Sequence, residues 1–242
     1  MSGTTGNPKP TDLVIAGKRL HAWTGGAGQA LLLLHSAWGD AEMSWAPVWN
    51  ELSRSFTVIA PDLPGFGASD PLDGPTLSAN ANILKTLLDD QKTGPAIVVG
   101  NSFAASIAIE FAASFPERAK HLVLVNGGYL PALPGFMKKL LRLRAVEERF
   151  RRFMRSFTYS DKAFAKAFPD PVALPPGFFD RIRKNEDEAI PERLRYLHEP
   201  DRAAGAAIGP LDSPLGNRRQ ARYHETGGVT SEVARRRGLR GH

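Results

Sequence analysis

The sequence predicts an α/β domain in which a mostly parallel central sheet is flanked by helices. Strand-like and helix-like segments alternate from residue 12 to residue 125, as expected when crossover helices connect parallel strands. Two of the strand-like runs, ALLLLH and FTVIAPD, are almost uninterrupted apolar segments, which is typical of strands buried on both faces. At 242 residues, the chain fits one such domain with room for an insertion.

The predicted core spans residues 11–130 and follows an N-terminal stretch, residues 1–10, that we expect to be disordered. Its predicted strands are, in order, LVIA, RLHAW, ALLLLH, FTVIAPD, AIVVG and HLVLVNG. Apolar residues recur at helical spacing over Met43–Ser53 and Leu77–Asp90, and an alanine-rich helix is predicted over Ser102–Ser114. Since no helix separates the first two strands, we expect them to open the sheet as a short pair.

Residues 131–199 predict a helical cap inserted after the sixth strand, because strand-like runs give way to helical segments separated by prolines. The most regular segment is Phe136–Phe157, whose apolar residues fall on one stripe of a single helix: Phe136, Leu140, Leu143, Phe150, Phe153 and Phe157. The basic residues of this segment would also suit a membrane surface, but a cap helix with a solvated basic face explains them more simply. We therefore predict no membrane association.

Residues 200–242 have a different composition and predict an atypical basic tail, which we expect to be disordered. From residue 201 onwards there are eight Arg, seven Gly and no Phe or Trp. No segment there predicts a buried strand, so we expect the C-terminal strands of the sheet to be missing or degraded. One hypothesis for this composition is that the gene is truncated or read out of register. Another is an arm for nucleic acid, which is disfavoured because no aromatic platform accompanies the arginines.

Composition excludes several kinds of site. The absence of cysteine rules out disulfides, thiolate metal sites and a cysteine nucleophile, so covalent chemistry must come from Ser, Thr, Lys or a carboxylate. No apolar run approaches the ~20 residues of a membrane span, and the N-terminus lacks the apolar segment of a secretion signal. These two observations predict a cytoplasmic location.

The strongest candidate for a reactive residue is Ser102, which lies in Gly100-Asn101-Ser102-Phe103-Ala104 between the strand AIVVG and the alanine-rich helix. A serine on a sharp strand-to-helix turn has its hydroxyl lifted above the sheet, beside the positive end of the helix dipole. The alternative is that Ser102 only caps the helix. Its placement after a buried strand favours the nucleophile.

Two further loops follow buried strands. In LLLLHSAWGD, a strand ends at His35 and opens into a loop of small residues. We expect His35 to hold this loop through hydrogen bonds to nearby backbone rather than to act as a base. In the segment Asp62–Ser69, a proline and two glycines form a tight loop after FTVIA, and we expect its residues to be structural.

In this order and spacing, the three features resemble the α/β-hydrolase superfamily over about half of the chain. The segment VIAPDLPGFGASD is especially similar, and GNS before a bulky residue resembles the carbon–carbon bond hydrolases of that superfamily. The resemblance implies an oxyanion hole made by the backbone N–H groups of Ala37 and Phe103. Ser36 and Ala104 stand where glycine is common in the family, but both are small enough for a tight turn.

The resemblance also implies a carboxylate and then a histidine beyond the cap, which would complete a catalytic triad. The turn Gly209-Pro210-Leu211-Asp212 resembles the acid turn of the family, and Gly241-His242 resembles its histidine loop. Asp212 and His242 are therefore the candidates. His224 is a weaker one because it follows Asp212 too closely.

Together these features predict a serine hydrolase of the α/β-hydrolase fold, without a metal or other cofactor, acting on a small, mostly apolar carboxylic ester. Its partner would be this small-molecule substrate, not nucleic acid or a membrane; the sequence predicts no oligomeric state. One alternative is a carbon–carbon bond hydrolase of the same fold. The other is a catalytically inactive relative that lacks its acid and base. Serine at the turn disfavours an epoxide hydrolase or haloalkane dehalogenase, which use a carboxylate there.

Overall fold

A computed structural model describes residues 6–127, 135–141, 143–158, 160, 162, 174 and 177–184. Within these residues, six strands form one mixed sheet in the order β1-β2-β4-β3-β5-β6. The strands are β1 Lys9–Ile15, β2 Lys18–Gly25, β3 Gln29–Leu34, β4 Phe56–Pro61, β5 Ala96–Asn101 and β6 Ala119–Val125. The predicted fold class, a mostly parallel sheet with flanking helices, is confirmed.

The sheet combines a hairpin with a parallel core. Strands β1 and β2 pair antiparallel across the two-residue turn at Ala16 and Gly17, which have φ angles of 51° and 76° and match the twist that tight hairpins require. Strand β2 also pairs antiparallel with β4, whereas β4, β3, β5 and β6 are mutually parallel. Strand β1 begins at Lys9, two residues before the expected start of the core.

Helices cover both faces of the sheet. The helices are α1 Ala41–Leu52, α2 Leu77–Asp90, α3 Phe103–Ser114, α4 Gly135–Leu140, α5 Arg144–Thr158 and α6 Phe178–Lys184. Leu32 and Leu34 of β3 pack with α2 and α3 on one face, while Leu31 and Leu33 pack with α1 on the other. Successive side chains of a strand point to opposite faces of the sheet. Because helices cover both faces, β3 carries apolar residues on both sides.

The parallel strands end together at one edge of the sheet. Residue Leu34 of β3 is in register with Gly100 of β5, and Asn101 of β5 is in register with Val125 of β6. The loops that begin at His35 and at Ser102 therefore leave neighbouring strands side by side. This is the edge where open α/β sheets bind ligands.

The prediction of one continuous helix over Phe136–Phe157 is wrong. The segment forms two helices, α4 and α5, which are separated by residues 141–143. Of the predicted stripe, Phe150 packs against Ile182 of α6, whereas four members are exposed: Phe136, Leu140, Leu143 and Phe153. Leu141, which is not on the stripe, is buried. The segment therefore does not bury one continuous stripe.

No helix among the described residues is long and apolar enough to cross a bilayer. The predicted tail, residues 200–242, and the expected loss of the C-terminal strands lie outside the described residues.

Candidate active site

Ser102 occupies a strained turn between β5 and α3. Its φ and ψ angles are 53° and −113°, a combination that residues with a Cβ rarely adopt. The turn is held by two backbone hydrogen bonds: the Ser102 N–H donates to the carbonyl of Val125 (2.8 Å), and the Ser102 carbonyl accepts from the N–H of Ala105 (3.0 Å). The residue is exposed, and its side chain makes no capping hydrogen bond to the helix. The interpretation of Ser102 as an ordinary cap is therefore wrong.

Glycine is required on both sides of this turn. A Cβ added to Gly100 would lie 2.7 Å from the carbonyl oxygen of Ala104 and 2.8 Å from the Cβ of Ala108. A Cβ added to Gly127 would lie 2.6 Å from the carbonyl oxygen of Ser102. Sequence reasoning did not identify Gly127, although an Asn-Gly pair directly after a strand signals a turn. The close approach of β6 to Ser102 is what makes this second glycine necessary.

His35 supports the neighbouring loops and is not placed to act as a base. Its side chain is fully buried, and its ring packs edge-on against Phe66 with 5.4 Å between ring centroids. The Leu63 N–H donates to His35 Nε2 (2.8 Å), so the proton must be on Nδ1, which donates to the carbonyl of Ser36 (2.6 Å). Both ring nitrogens are thus used by backbone groups, and the predicted structural role of His35 is confirmed.

The loop after β3 carries the predicted oxyanion donor Ala37. The Ser36 hydroxyl lies 3.3 Å from both the N–H and the carbonyl oxygen of Trp38, which closes a small turn around Ala37. Ala37 is partly buried against the main core. Phe103, the second predicted donor, is the first residue of α3, where helix N–H groups point away from the helix end. The fold thus brings Ala37 and Phe103 to the ends of neighbouring strands, β3 and β5.

The loop after β4 is held by Asp62. One of its carboxylate oxygens, Oδ1, accepts from the N–H of Ala41, and the other, Oδ2, accepts from the N–H of Ala68, both at 2.9 Å. The Ser69 hydroxyl donates to the Asp62 carbonyl (2.7 Å). Asp62 is buried and ties this loop to the start of α1. Its carboxylate is used within the protein, which agrees with the expected structural role of the loop.

None of the described histidines can serve Ser102. His21 is on β2, where its backbone carbonyl accepts a hydrogen bond from the N–H of Asp62. Strand β2 is three strand spacings, or about 14 Å, from β5. The His21 Nδ1 atom is 2.6 Å from Asp12. His121 is in register with Ile97, five residues before Ser102 and so about 16 Å along the strand. The predicted residues Asp212 and His242, and the weaker candidate His224, lie outside the described residues.

The described residues contain no cluster of His, Asp and Glu that could hold a metal ion. At the carboxyl edge of the sheet, the solvent-exposed residue Ser102 lies at the N-terminus of α3. Such a site favours nucleophilic attack on a carbonyl group, because the helix dipole and backbone N–H groups stabilise the negative charge that develops on oxygen.

Comparisons with known proteins agree with this geometry. The model of a family described as alpha/beta hydrolase matches residues 31–230. A segment of 104 residues is 39% identical to an uncharacterized protein of Mycobacterium tuberculosis and covers 43% of this chain and 30% of that protein. Another alignment, over 111 residues, is 38% identical to a 2-hydroxy-6-oxononadienedioate/2-hydroxy-6-oxononatrienedioate hydrolase of Burkholderia vietnamiensis and covers 43% of this chain and 38% of the relative. The chain thus spans about a third of the length of these two relatives.

Among solved structures, a thermophilic esterase from Thermogutta terrifontis is similar, with a TM-score of 0.60 and 26% identity. The alignment covers 78% of this chain and 71% of the esterase.

Proposed function

The chain belongs to the α/β-hydrolase family, and we propose that it is a serine hydrolase that cleaves small, mostly apolar carboxylic esters through an acyl-enzyme on Ser102. The observation that supports this proposal most directly is the strained backbone of Ser102, with φ 53° and ψ −113°, in a residue that is exposed to solvent. Strain of this kind persists only where surrounding contacts impose it, and it is concentrated at functional sites. We propose that this turn holds the hydroxyl above the carboxyl edge of the sheet.

The proposed reaction begins with attack of Ser102 Oγ on the ester carbonyl carbon while a histidine accepts the serine proton. The N–H groups of Ala37 and Phe103 donate hydrogen bonds to the oxyanion. The tetrahedral intermediate then collapses, and the alcohol leaves with the proton from the histidine. A water molecule, activated by the same histidine, hydrolyses the acyl-enzyme and regenerates Ser102.

We propose His242 as this base and Asp212 as the carboxylate that orients it. The contacts and positions of His21, His35 and His121 exclude all three as the base, as described above. The chain contains six histidines, so a base supplied by this chain must be His198, His224 or His242. Replacing each of these three by alanine identifies the base, because only the variant that lacks the base should have a kcat reduced by several orders of magnitude.

The apolar side chains around the cap favour an apolar substrate. Trp38, one residue after the proposed donor Ala37, packs in a cluster with Ile182 of α6. The same cluster contains Met43, Phe150, Phe178 and Phe179. This apolar cluster beside the loop of Ala37 supports a substrate with a hydrocarbon acyl or alcohol group rather than a charged one.

A carbon–carbon bond hydrolase is the second candidate. It is favoured by the 38% identity to the hydrolase of Burkholderia vietnamiensis, whose name gives 2-hydroxy-6-oxononadienedioate and 2-hydroxy-6-oxononatrienedioate as its substrates. Parallel assays with an aryl ester and with a vinylogous diketone distinguish the two activities, since the preferred substrate should have the larger kcat/KM. The third candidate, an inactive relative, predicts turnover of neither substrate.

Labelling with a fluorophosphonate tests the nucleophile directly. We expect the wild-type chain to be labelled and Ser102→Ala to lose both labelling and ester hydrolysis. Ser114→Ala is the matched control, because Ser114 is an exposed serine at the opposite end of α3. A wild-type chain that is not labelled, or a Ser102→Ala variant that retains hydrolysis, contradicts the proposal.

A further inference from the structure

One residue of α6 joins the cap region to the start of α1. Arg181 Nη2 lies 3.2 Å from Asp40 Oδ2 and 2.9 Å from Glu42 Oε2, although the residues are about 140 positions apart in the chain. Partial burial lowers the pKa of Arg181, but the hydrogen bond to Glu42 and the charges of both carboxylates outweigh this effect, so the pKa is raised. Arg181 therefore remains a cation that bridges two acidic groups.

Asp40 connects this bridge to the loop of the proposed oxyanion donor. While Asp40 Oδ2 accepts from Arg181, Asp40 Oδ1 accepts from the N–H of Met43 (2.8 Å) and caps α1. Asp40 is buried and lies three residues after Ala37. A single carboxylate thus holds the end of this loop, the first turn of α1 and the cap region together.

The neighbouring residue on α6 contacts the other part of the same loop. Ile182 is 1% exposed and packs against Trp38, the residue that follows Ala37, and against Met43 of α1. Arg181 and Ile182 therefore contact the chain at two points just beyond Ala37, one polar and one apolar.

We propose that Arg181 and Ile182 are positioning residues that hold the loop carrying the Ala37 N–H, so that docking of α6 and assembly of the oxyanion site occur together. This inference rests on the proposed function of Ser102. The Arg181 side chain is 47% exposed and that of Glu42 is 42% exposed, so the ion pair contributes little to global stability. Its effect should therefore appear in the rate of the chemical step, where small displacements of a donor are costly.

The kinetic test compares four variants of the full chain with an aryl ester as substrate. We expect Arg181→Met to lower kcat by about 10-fold and to change KM by less than about two-fold, since an oxyanion donor contributes to the transition state rather than to binding. Asp40→Asn should do the same, because asparagine still caps α1 but no longer attracts the guanidinium. Arg181→Lys should recover most of the lost kcat, and Arg181→Met/Asp40→Asn should be no slower than either single variant.

Arg54→Met is the matched control. Arg54 forms an ion pair with Glu51 (2.6 Å) at the other end of α1, where both side chains are 74% exposed. We expect its kcat, KM and melting temperature to equal those of the wild type. Arg181→Met should melt within about 2 °C of the wild type. An unchanged kcat in Arg181→Met, or additive losses in the double variant, overturns the inference, as does a lower melting temperature without a loss of kcat.

Hydrogen exchange tests the same coupling without relying on turnover. Amides in the segment 35–43 should exchange faster in Arg181→Met than in the wild type, while those of the β1–β2 hairpin should not change. Equal exchange of the segment 35–43 in both proteins overturns the coupling. If the wild type shows no turnover that depends on Ser102, the proposed function fails and the catalytic part of this inference fails with it. The exchange result then decides separately whether α6 holds the loop.

Discussion

Replacing Ser102 by glycine should stabilise the protein while abolishing hydrolysis. The φ and ψ angles of Ser102, 53° and −113°, place its Cβ in a conformation that costs about 1–3 kcal/mol for a residue other than glycine. Glycine removes this cost but increases the entropy of the unfolded chain, which reduces the gain in stability by about 0.5–1 kcal/mol. The free energy of unfolding should therefore rise by about 1 kcal/mol, and by at most about 2.5 kcal/mol.

Two controls isolate the backbone effect. Ser102→Ala removes the hydroxyl but keeps the Cβ, and its stability should stay within about 0.5 kcal/mol of the wild type because the hydroxyl makes no capping hydrogen bond. Lys92→Gly relieves a positive φ of 51° just after α2, far from the proposed site, and should leave ester hydrolysis unchanged.

Urea unfolding followed by circular dichroism measures these differences, and m-values that agree among the variants make the comparison valid. The decisive quantity is the stability of Ser102→Gly relative to Ser102→Ala. If the glycine variant is no more stable than the alanine variant, the turn stores no strain and the reasoning from backbone geometry to function is refuted.

Three further perturbations test the turn, the loop after β4 and an ion pair on α2. Gly100→Ala should cost about 1–3 kcal/mol or more and abolish fluorophosphonate labelling, because its Cβ would meet backbone 2.7 Å away, whereas Gly94→Ala, with no atom within 4 Å, should be neutral in the same assays. Asp62→Asn should cost about 1–3 kcal/mol in urea unfolding, since its amide nitrogen cannot accept from a backbone N–H. The pKa of Asp89 is lowered by its hydrogen bond from Lys85 and by nearby cations, against desolvation. The pKa of Asp89 is thus lower in the folded than in the unfolded protein, so ionised Asp89 stabilises the fold at neutral pH, and this stabilisation is lost as the pH falls through the folded pKa. The wild type should therefore be more stable than Asp89→Asn at neutral pH, and the two proteins should become equally stable below about pH 4.

Local signals determined the elements of the core. The prediction for α2, Leu77–Asp90, agrees with the observed bounds because its start is marked by Thr76, whose hydroxyl accepts from the N–H of Ala79, and its apolar residues repeat at helical spacing. The unbroken apolar run ALLLLH likewise predicted β3 as a strand covered on both faces, and its leucines from residue 31 to 34 are all buried. In both cases, the information lies within a few residues of the element itself.

The cap region was harder because its pattern had two solutions. Apolar residues between 136 and 157 follow a heptad spacing, which predicts one helix with one buried stripe. The observed segment instead forms α4 and α5, with Leu141 buried just after α4, Phe150 packed against Ile182 and Phe136 exposed. A spacing rule describes a single helix, and it cannot indicate where tertiary contacts will interrupt that helix.

For this protein, the sequence alone determined the α/β architecture, the position of Ser102 on a strand-to-helix turn and the structural role of His35, because each depends on neighbours in the chain or on the order of strands. Only the tertiary structure revealed that Gly127 closes the turn from β6 and that Arg181 reaches Asp40. These contacts join residues 25 and about 140 positions apart. Their formation depends on how the sheet and helices pack in three dimensions, and no local pattern of charge or hydrophobicity encodes that distance.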